Sequence, residues 1–485
     1  MTGHLQHSLL LQKRAVLREP VPGAAPRRAA LAGLERLLRG NAGRLQRAVM
    51  ADFGNRAHPE TVLAEILPLL DAIVYARARV AGWMRPQRVP VGLRFQPGQA
   101  WVEMRPVGCV GIVSPWNYPF LLSLQPVIDA LAAGCRVMLK PSELSPACAD
   151  LLATLLAEVF DPEDVAVMQG DAAMARAFCA LEFDHLLFTG STGVGREVMQ
   201  SAARNLVPVT LELGGKSPAI LCPDRVATDA ARRRTAHSLA VGKFFNAGQT
   251  CLAPDYVLAP RAHLAATAEA LAEAARRLYP SILDNPDYTG LISNRHQDRL
   301  LGLVADAAQR GLAILRHPDD RADRQGLLRA QRRLPPTVVM FPDLAATATE
   351  TAMMQEEIFG PVLPVLPYDS VEQAAAFVNA RPVPLALYCY TDDRAQQRHV
   401  LDTTRSGGVT LNGTLLHCAQ PGLPFGGLGH SGTGAYHGHA GFLRFSHRRA
   451  IYRPGRFSGF TWMTPPHGAM TRRALTLMLG RKPQA

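Results

Sequence analysis

Lysine is nearly missing from this chain of 485 residues: there are five, at 13, 140, 216, 243 and 482, so arginine carries almost all the basic charge behind a formal net charge of +12. The arginines are scattered, and the densest run is Arg232-Arg233-Arg234. A nucleic-acid binder concentrates basic residues on one stripe with interleaved aromatics, so no nucleic-acid partner is expected. The chain also lacks any C-x-x-C pair. Its eight cysteines, at 109, 135, 148, 179, 222, 251, 389 and 418, suit neither a disulfide framework nor a zinc site and fit a reducing cytoplasm. Five histidines fall between 417 and 447, His437 and His439 among them, but no cysteine or carboxylate pattern completes a ligand set, so no metal is expected. No run of 18 apolar residues exists to span a bilayer. The opening MTGHLQHSLLLQKR holds only a three-leucine run, too short for a secretory core. The basic, partly amphipathic segment 470–482 reads as a packed or frayed terminal helix, with peripheral membrane contact as the lesser alternative.

What is present is an ordinary globular balance, 48% apolar and 19% charged, in a chain too long for one core. Two or more lobes are expected. Residues 27–84 read as helices, with Leu31, Leu34, Leu37 and Leu38, then Ile66, Leu69, Leu70 and Ile73, at helical spacing. Residues 85–105 turn rich in Pro, Gly and Val and read as an excursion or hairpin. From 108 strand and helix alternate: strand 109–114, helix 121–133 ending at Gly134, strand 136–140, helix 146–160, then strands at 165–168, 186–189 and 207–213. Such alternation implies right-handed crossovers and a parallel sheet covered on both faces. A second series follows from about 217, with helices near 228–245 and 262–278 and strands near 337–341, 362–366 and 385–390. The Gly-rich segment 422–434 reads as a loop packed close to something.

Chemistry concentrates around one pair. Cys251 follows a small turn in Phe-Asn-Ala-Gly-Gln-Thr-Cys, and Glu212 lies 39 residues upstream in Leu-Glu-Leu-Gly-Gly-Lys. A cysteine so placed can be a nucleophile, and a carboxylate can activate the water that clears the captured acyl group. In His185–Gly195 a strand runs into a turn holding Gly190, Ser191, Thr192, Gly193, Val194 and Gly195, where a helix amino terminus could bind a diphosphate. A plain strand–helix loop fits that spacing equally well, because Gly190 and Gly195 are not in the G-x-G-x-x-G register. Lys140 and Glu143 close the second strand and read either as ribose ligands or as a solvated charge pair. In Pro115-Trp116-Asn117-Tyr118-Pro119 two prolines stiffen a loop that presents the Asn117 amide, either to a developing oxyanion or to its own turn. Glu356-Glu357-Ile-Phe359-Gly-Pro reads by itself as a surface acidic turn.

PWNYP, LKPSE, FTGSTGVG, LELGGKSP, FFNAGQTC, EEIFGP and PFGGLGHSG occur in this order, and on them the chain resembles the NAD(P)-dependent aldehyde dehydrogenase superfamily over at least residues 50–450. GKFFNAGQTCLAPDYV, SGTGAYHG and FLRFSH resemble its class 3 branch, and NARPVPLALYCY and SGGVTLNGTLLH are similar to bacterial coniferyl aldehyde dehydrogenases. Two positions depart from the pattern: Cys135, where Asn is frequent, and Gly413, where the coniferyl type often has Asp. The resemblance implies an α/β fold with a Rossmann-like cofactor domain (1–84 and 106–214), a catalytic domain (215–428), a bridging arm (85–105 and 441–452) and a tail (453–485). The arm account makes Phe442–Phe445 strand-like and pairs subunits into a homodimer. The resemblance implies that Cys251 is the nucleophile and Glu212 the base, with Asn117 as oxyanion donor. It sets Trp116, Gly190–Gly195, Lys140, Glu143, Glu357 and Phe359 around NAD, with NADP as the alternative cofactor. The substrate expected is a flat aromatic aldehyde, received by Tyr118, Phe120, Phe244 and Phe245. Medium- or long-chain aliphatic aldehydes are the main competitor. A CoA-acylating enzyme or a non-catalytic homologue is disfavoured by the presence of both Glu212 and Cys251.

Overall fold

The computed structural model describes residues 2–344, 350–456 and 464–480. Helices Ala24–Phe53 and Leu67–Trp83 bury Leu31, Leu34, Leu38, Ile73 and Val80 on one stripe each and pack against helix Leu121–Ala133. Between them a single turn, His58–Thr61, runs into a π turn, Val62–Ile66. A helix the sequence reading did not assign, Thr2–Arg18, docks by Leu5 and Leu9, one helical turn apart, onto the first parallel sheet.

The excursion is a three-stranded antiparallel arm: β1 (Gln87–Val89), β2 (Gln99–Pro106) and, from the far end of the chain, β16 (Ser446–Arg453). The expectation that Phe442–Phe445 is strand-like is corrected. Gly438–Arg444 is a helix, and the arm strand starts at Ser446. The reason is burial at helical spacing: Phe442 and Phe445, three apart, are both fully buried, whereas a strand would have put Phe442 and Arg444 on one face.

β3 (Cys109–Val113), β4 (Arg136–Lys140), β5 (Val165–Val167), β6 (His185–Gly190) and β7 (Val209–Leu213) form a parallel sheet within a few residues of the expected strands. Its strands are continuous apolar runs because both faces are covered. Val110, Ile112, Val137 and Leu139 meet helices Leu121–Ala133 and Pro146–Ala157, while Val113, Met138, Leu186 and Leu211 meet helices Ala172–Cys179 and Thr192–Ala203. Gly134 adopts φ +87° and ends its helix as expected. A second, seven-stranded sheet holds β8 (Pro218–Leu221), β9 (Tyr256–Pro260), β10 (Ala313–Arg316), β11 (Thr337–Met340), β12 (Val362–Tyr368), β13 (Ala386–Tyr390) and β14 (Gly408–Leu411).

The Gly-rich segment returns from the second sheet to the first. It is largely loop, but β15 (Gly432–Thr433) pairs antiparallel with Leu211 and Glu212 on the edge of β7. Gly432 sits at φ +149° so close to the Leu211 carbonyl that a Cβ would overlap it, which is why this edge tolerates only glycine. At the carboxyl end, helix Ala469–Met478 leaves most of its side chains exposed, and the parts of the tail at 457–463 and 481–485 lie outside the described residues. Among the described residues no helix is long and apolar enough to cross a membrane.

Candidate active site

The first sheet has strand order β15-β7-β6-β3-β4-β5, so the chain direction across the sheet reverses between β3 and β6. Such a switch opens a crevice beyond the carboxyl ends of the strands. A cavity of about 230 Å³ lies there, lined by Trp116 and Asn117 after β3, Thr189, Gly190 and Ser191 at the end of β6, and Glu212 and Gly214 at the end of β7. Its opposite wall comes from the amino ends of the second sheet: Cys251 before β9, Glu357 and Phe359 before β12, and Leu385 before β13.

Cys251 is presented by a strained turn. Asn246, Ala247 and Gly248 have φ of 53°, 50° and 74°, three consecutive left-handed residues, two of which carry a Cβ. Side-chain amides hold it. Gln249 Nε2 donates to the carbonyls of Asn246 (3.0 Å) and Gly290 (3.1 Å), and its Oε1 accepts from the Ile292 N–H (3.0 Å). Asn117 Nδ2 donates to the Gln249 carbonyl at 3.1 Å, and Asn246 Nδ2 donates to the carbonyls of Asn117 (3.0 Å) and Gln249 (3.2 Å). Cross-bonding of this kind fixes the Asn117 amide and leaves its second N–H for another acceptor. Gly248 has a further reason to be glycine, since a Cβ there would strike the Gly360 carbonyl. The cysteine turn and the EEIFGP turn are thereby in direct contact.

A buried carboxylate, Glu212, and a half-buried one, Glu357, share the cavity with the thiol. Glu212 is 2% exposed, and neither carboxyl oxygen has a protein partner. Burial raises its carboxyl well above the ordinary range, offset only in part by Arg444. Glu357 is pushed up to about 8 by burial and by Asp255, against which the Gly215 N–H, Lys216 and Arg299 act. One Glu357 oxygen lies over Gly214 and the other is unpartnered. Burial, then Glu357, also raise the Cys251 thiol well above its usual value. Such a thiol needs a nearby proton acceptor to react, and raised carboxyl groups are suited to take protons near neutral pH.

The structure brings together Cys251, Glu212, Asn117, Trp116, Gly190, Ser191, Glu357 and Phe359 on this one cavity. Thr192, Gly193, Val194 and Gly195 form the first turn of helix Thr192–Ala203 with Ser191 as its cap, and do not line it. Nor do Lys140 and Glu143, which pair at 3.4 Å at the end of β4 on the same sheet edge, Lys140 buried and also bonded to the Pro141 carbonyl at 2.8 Å. These residues suit a dinucleotide. The helix amino terminus is capped but not blocked, a Cβ on Gly193 would meet nothing within 4 Å, and the free Glu357 oxygen can accept from a ribose hydroxyl.

The expected aromatic surface is corrected. Phe120 and Phe244 turn into the main core. Tyr118 is buried with its hydroxyl 2.6 Å from Thr250 Oγ1, and Phe245 is half-buried off the cavity. The rings that line the cavity are Trp116, Phe359 and Phe425, with the His296 imidazole 5.1 Å from Trp116 between centroids. A Cβ added at Gly413 would meet Thr410 and Leu416, and Gly413 does not line the cavity. Sequence reasoning missed His296 and Arg299, one helical turn apart on helix Asn294–Gln309. Arg299 donates to Glu356 Oε1 (3.0 Å) and the Glu357 carbonyl (3.3 Å), holding the EEIFGP turn. Lys216 supports the same turn through the carbonyls of Met353 (2.6 Å) and Glu356 (3.0 Å). No motif marks His296 or Arg299, whose partners are distant in sequence, and Lys216 lies in LELGGKSP without a role legible from it.

A family model described as "Aldehyde dehydrogenase family" matches residues 22–451. A Pseudomonas aeruginosa protein named "Probable coniferyl aldehyde dehydrogenase" is 48% identical over 457 residues, 94% of this chain and 92% of that one. A substrate-bound Staphylococcus aureus AldH has a TM-score of 0.88 at 32% identity, covering 98% of this chain and 99% of its own. The Mycobacterium tuberculosis aldehyde dehydrogenase in complex with NAD+ follows at 28% identity and TM-score 0.81, over 94% and 91% of the two chains. With its motifs, two-sheet fold and shared cavity of thiol and carboxylates, the chain belongs to the aldehyde dehydrogenase family and is a nicotinamide-dependent oxidoreductase that oxidises aldehydes.

Proposed function

We propose that the protein oxidises an aromatic aldehyde of the coniferyl type to its carboxylic acid through a thioester on Cys251. The observation that carries the substrate class is the 48% identity over nearly the whole chain to a relative named for coniferyl aldehyde. The cavity supports it: Phe425 and Leu385 add apolar wall beside Trp116 and Phe359. Cys251, once deprotonated, adds to the carbonyl carbon. The oxyanion accepts from the second N–H of the Asn117 amide and from the Cys251 backbone N–H. A bound nicotinamide would supply the acceptor for the hydride that leaves the hemithioacetal carbon. Glu212 then takes a proton from water, which attacks the thioester and frees the acid. A carboxylate at Glu212 favours water over a CoA thiol as the acyl acceptor.

In the same reading the first sheet and its helices (1–84 and 106–214) are the cofactor domain and residues 215–428 the catalytic domain. Ser191, Gly190 and the amino end of helix Thr192–Ala203 hold the diphosphate, Lys140 and Glu143 the adenine ribose, and Glu357 the nicotinamide ribose. Glu143 disfavours a 2′-phosphate by charge, so NAD is the preferred cofactor. The arm sheet, with order β1-β2-β16, leaves β16 as an edge strand, which suits pairing into a homodimer. Eight free thiols suit a cytoplasmic setting. The substrate reading is tested by kcat/KM for coniferyl aldehyde, benzaldehyde, octanal and acetaldehyde under one set of conditions. Burying a phenyl ring against the cavity wall is worth about 2 kcal/mol, or roughly thirtyfold over acetaldehyde. Octanal ahead of both aromatic compounds by about tenfold or more would make the enzyme an aliphatic aldehyde dehydrogenase instead.

A further inference from the structure

Residues 56–65, which carry none of the family motifs, contain a buried charged group: Arg56, Glu60 and Glu65. A charged trio in a core has to be stabilised by hydrogen bonds, and each carboxylate gives one oxygen to a loop of the active site. Glu65 pairs with Arg56 at 2.9 Å, and its second oxygen accepts the N–H groups of Phe120 (2.7 Å) and Leu121 (3.1 Å), just after Asn117. Arg56 also reaches the Asn117 carbonyl at 3.4 Å. Glu60 accepts the backbone N–H of Asn246 on one oxygen and the Thr289 hydroxyl at 3.1 Å on the other. Asn246 opens the left-handed turn that presents Cys251.

The backbone explains how both carboxylates reach the same site. Glu60 lies on helical turn His58–Thr61, and Glu65 five residues later lies in the π turn Val62–Ile66, where Leu67 bonds back to Val62. An α-helix would send residues five apart to different faces. A turn closed by i→i+5 bonds winds around one more residue and brings them to the same side, and such turns recur at functional sites.

We propose that Glu60 is a positioning residue for the reaction: its carboxylate holds the Asn246–Gly248 turn in its strained geometry and so aims the Cys251 thiol and N–H, while Arg56 and Glu65 hold the Asn117 loop opposite. Glu60 touches no reacting atom. The inference rests on the assignment of Cys251 and Asn117 to the reacting centre.

The test compares Glu60→Met with Glu60→Gln. Methionine keeps the volume and removes the acceptor, and Arg56 retains Glu65 in either variant. The Gln oxygen still accepts the Asn246 N–H, and its NH₂ can donate to the Thr289 hydroxyl. Folded Glu60→Met is expected to lose about thirtyfold in kcat, the scale of a sub-ångström to 1 Å misplacement, with KM for NAD+ changed by less than about threefold. Alkylation of Cys251 by iodoacetamide slows in parallel, and Glu60→Gln recovers kcat to within about threefold of wild type. Should Glu60→Met not fold, Thr289→Val frees one oxygen of Glu60 and is expected to lower kcat by about threefold at unchanged KM. Wild-type kcat and alkylation in folded Glu60→Met would overturn the proposal, and so would Glu60→Gln as impaired as Glu60→Met, or Thr289→Val with wild-type kcat where it stands in. Cys251→Ala, run alongside, separates the two failures: activity surviving there removes the reacting centre itself, whereas its loss with an unaffected Glu60→Met removes only the role of Glu60.

Discussion

Replacing Glu212 by Gln isolates the second half of the reaction. The side chain is buried, both its oxygens lack protein partners, and burial raises its carboxyl well above the ordinary range. Burial favours the uncharged carboxyl, and an isosteric amide keeps its shape and volume. Folding stability should move by less than about 0.5 kcal/mol. Turnover should not be spared. A positioned general base contributes about 10² to 10⁴ in rate, or ~2.7 to ~5.4 kcal/mol at 1.36 kcal/mol per decade, and the amide cannot take the proton from water. Acylation does not use that function, so mixing the variant with aldehyde and NAD+ should give a burst of reduced nicotinamide approaching one per active site, then a stall. Mass spectrometry should find the acyl group on Cys251. Steady turnover within about threefold of wild type would refute a role for Glu212 in deacylation, and a stalled enzyme with an unmodified Cys251 would refute the thioester.

Cys251→Ala should lose at least about 10⁴-fold in kcat/KM in the same assay, whereas Cys135→Ala and Cys179→Ala, whose thiols are buried away from the cavity, should retain wild-type rates. The raised thiol and the raised Glu212 carboxyl both need a proton removed, so activity is present at high pH and lost as pH falls. Alkylation of Cys251 in the absence of cofactor should accordingly keep rising beyond pH 9.0, the ordinary value for a thiol, and a plateau at neutral pH would contradict the burial argument. Glu143→Gln should raise kcat/KM for NADP relative to NAD by about threefold to fivefold, modest because the carboxylate is half-exposed, and a wild-type preference for NADP would refute the assigned cofactor.

Much of the layout could be read directly from residues. Arg136–Lys140 and Leu121–Ala133 have the expected bounds because a continuous apolar strand and a helix stopped by Gly134 are local patterns. The π turn at Val62–Ile66 has no such signature, since a π turn and an α turn share the same apolar spacing over five residues. Phe442–Phe445 shows the opposite difficulty. Two aromatics three apart in a four-residue window fit a short strand until both are known to be buried on one side.

The sequence alone determined the order of the motifs, the alternation of strand and helix, and the pairing of a turn-borne cysteine with an upstream carboxylate, because spacing and backbone chemistry act over a few residues. Only the tertiary structure decided which rings face the cavity. Trp116 and Phe120 are four apart in one loop, yet one lines the site and the other fills the core, a choice set by helices that arrive from elsewhere in the chain. It also decided the charge states. The shifts on Glu212, Glu357 and Cys251 come first from burial, a property of the packed molecule that no residue carries by itself. The hold of Glu60 on Asn246, across 186 positions, belongs to the same class, because a hydrogen bond between distant segments exists only once the sheets have assembled around it.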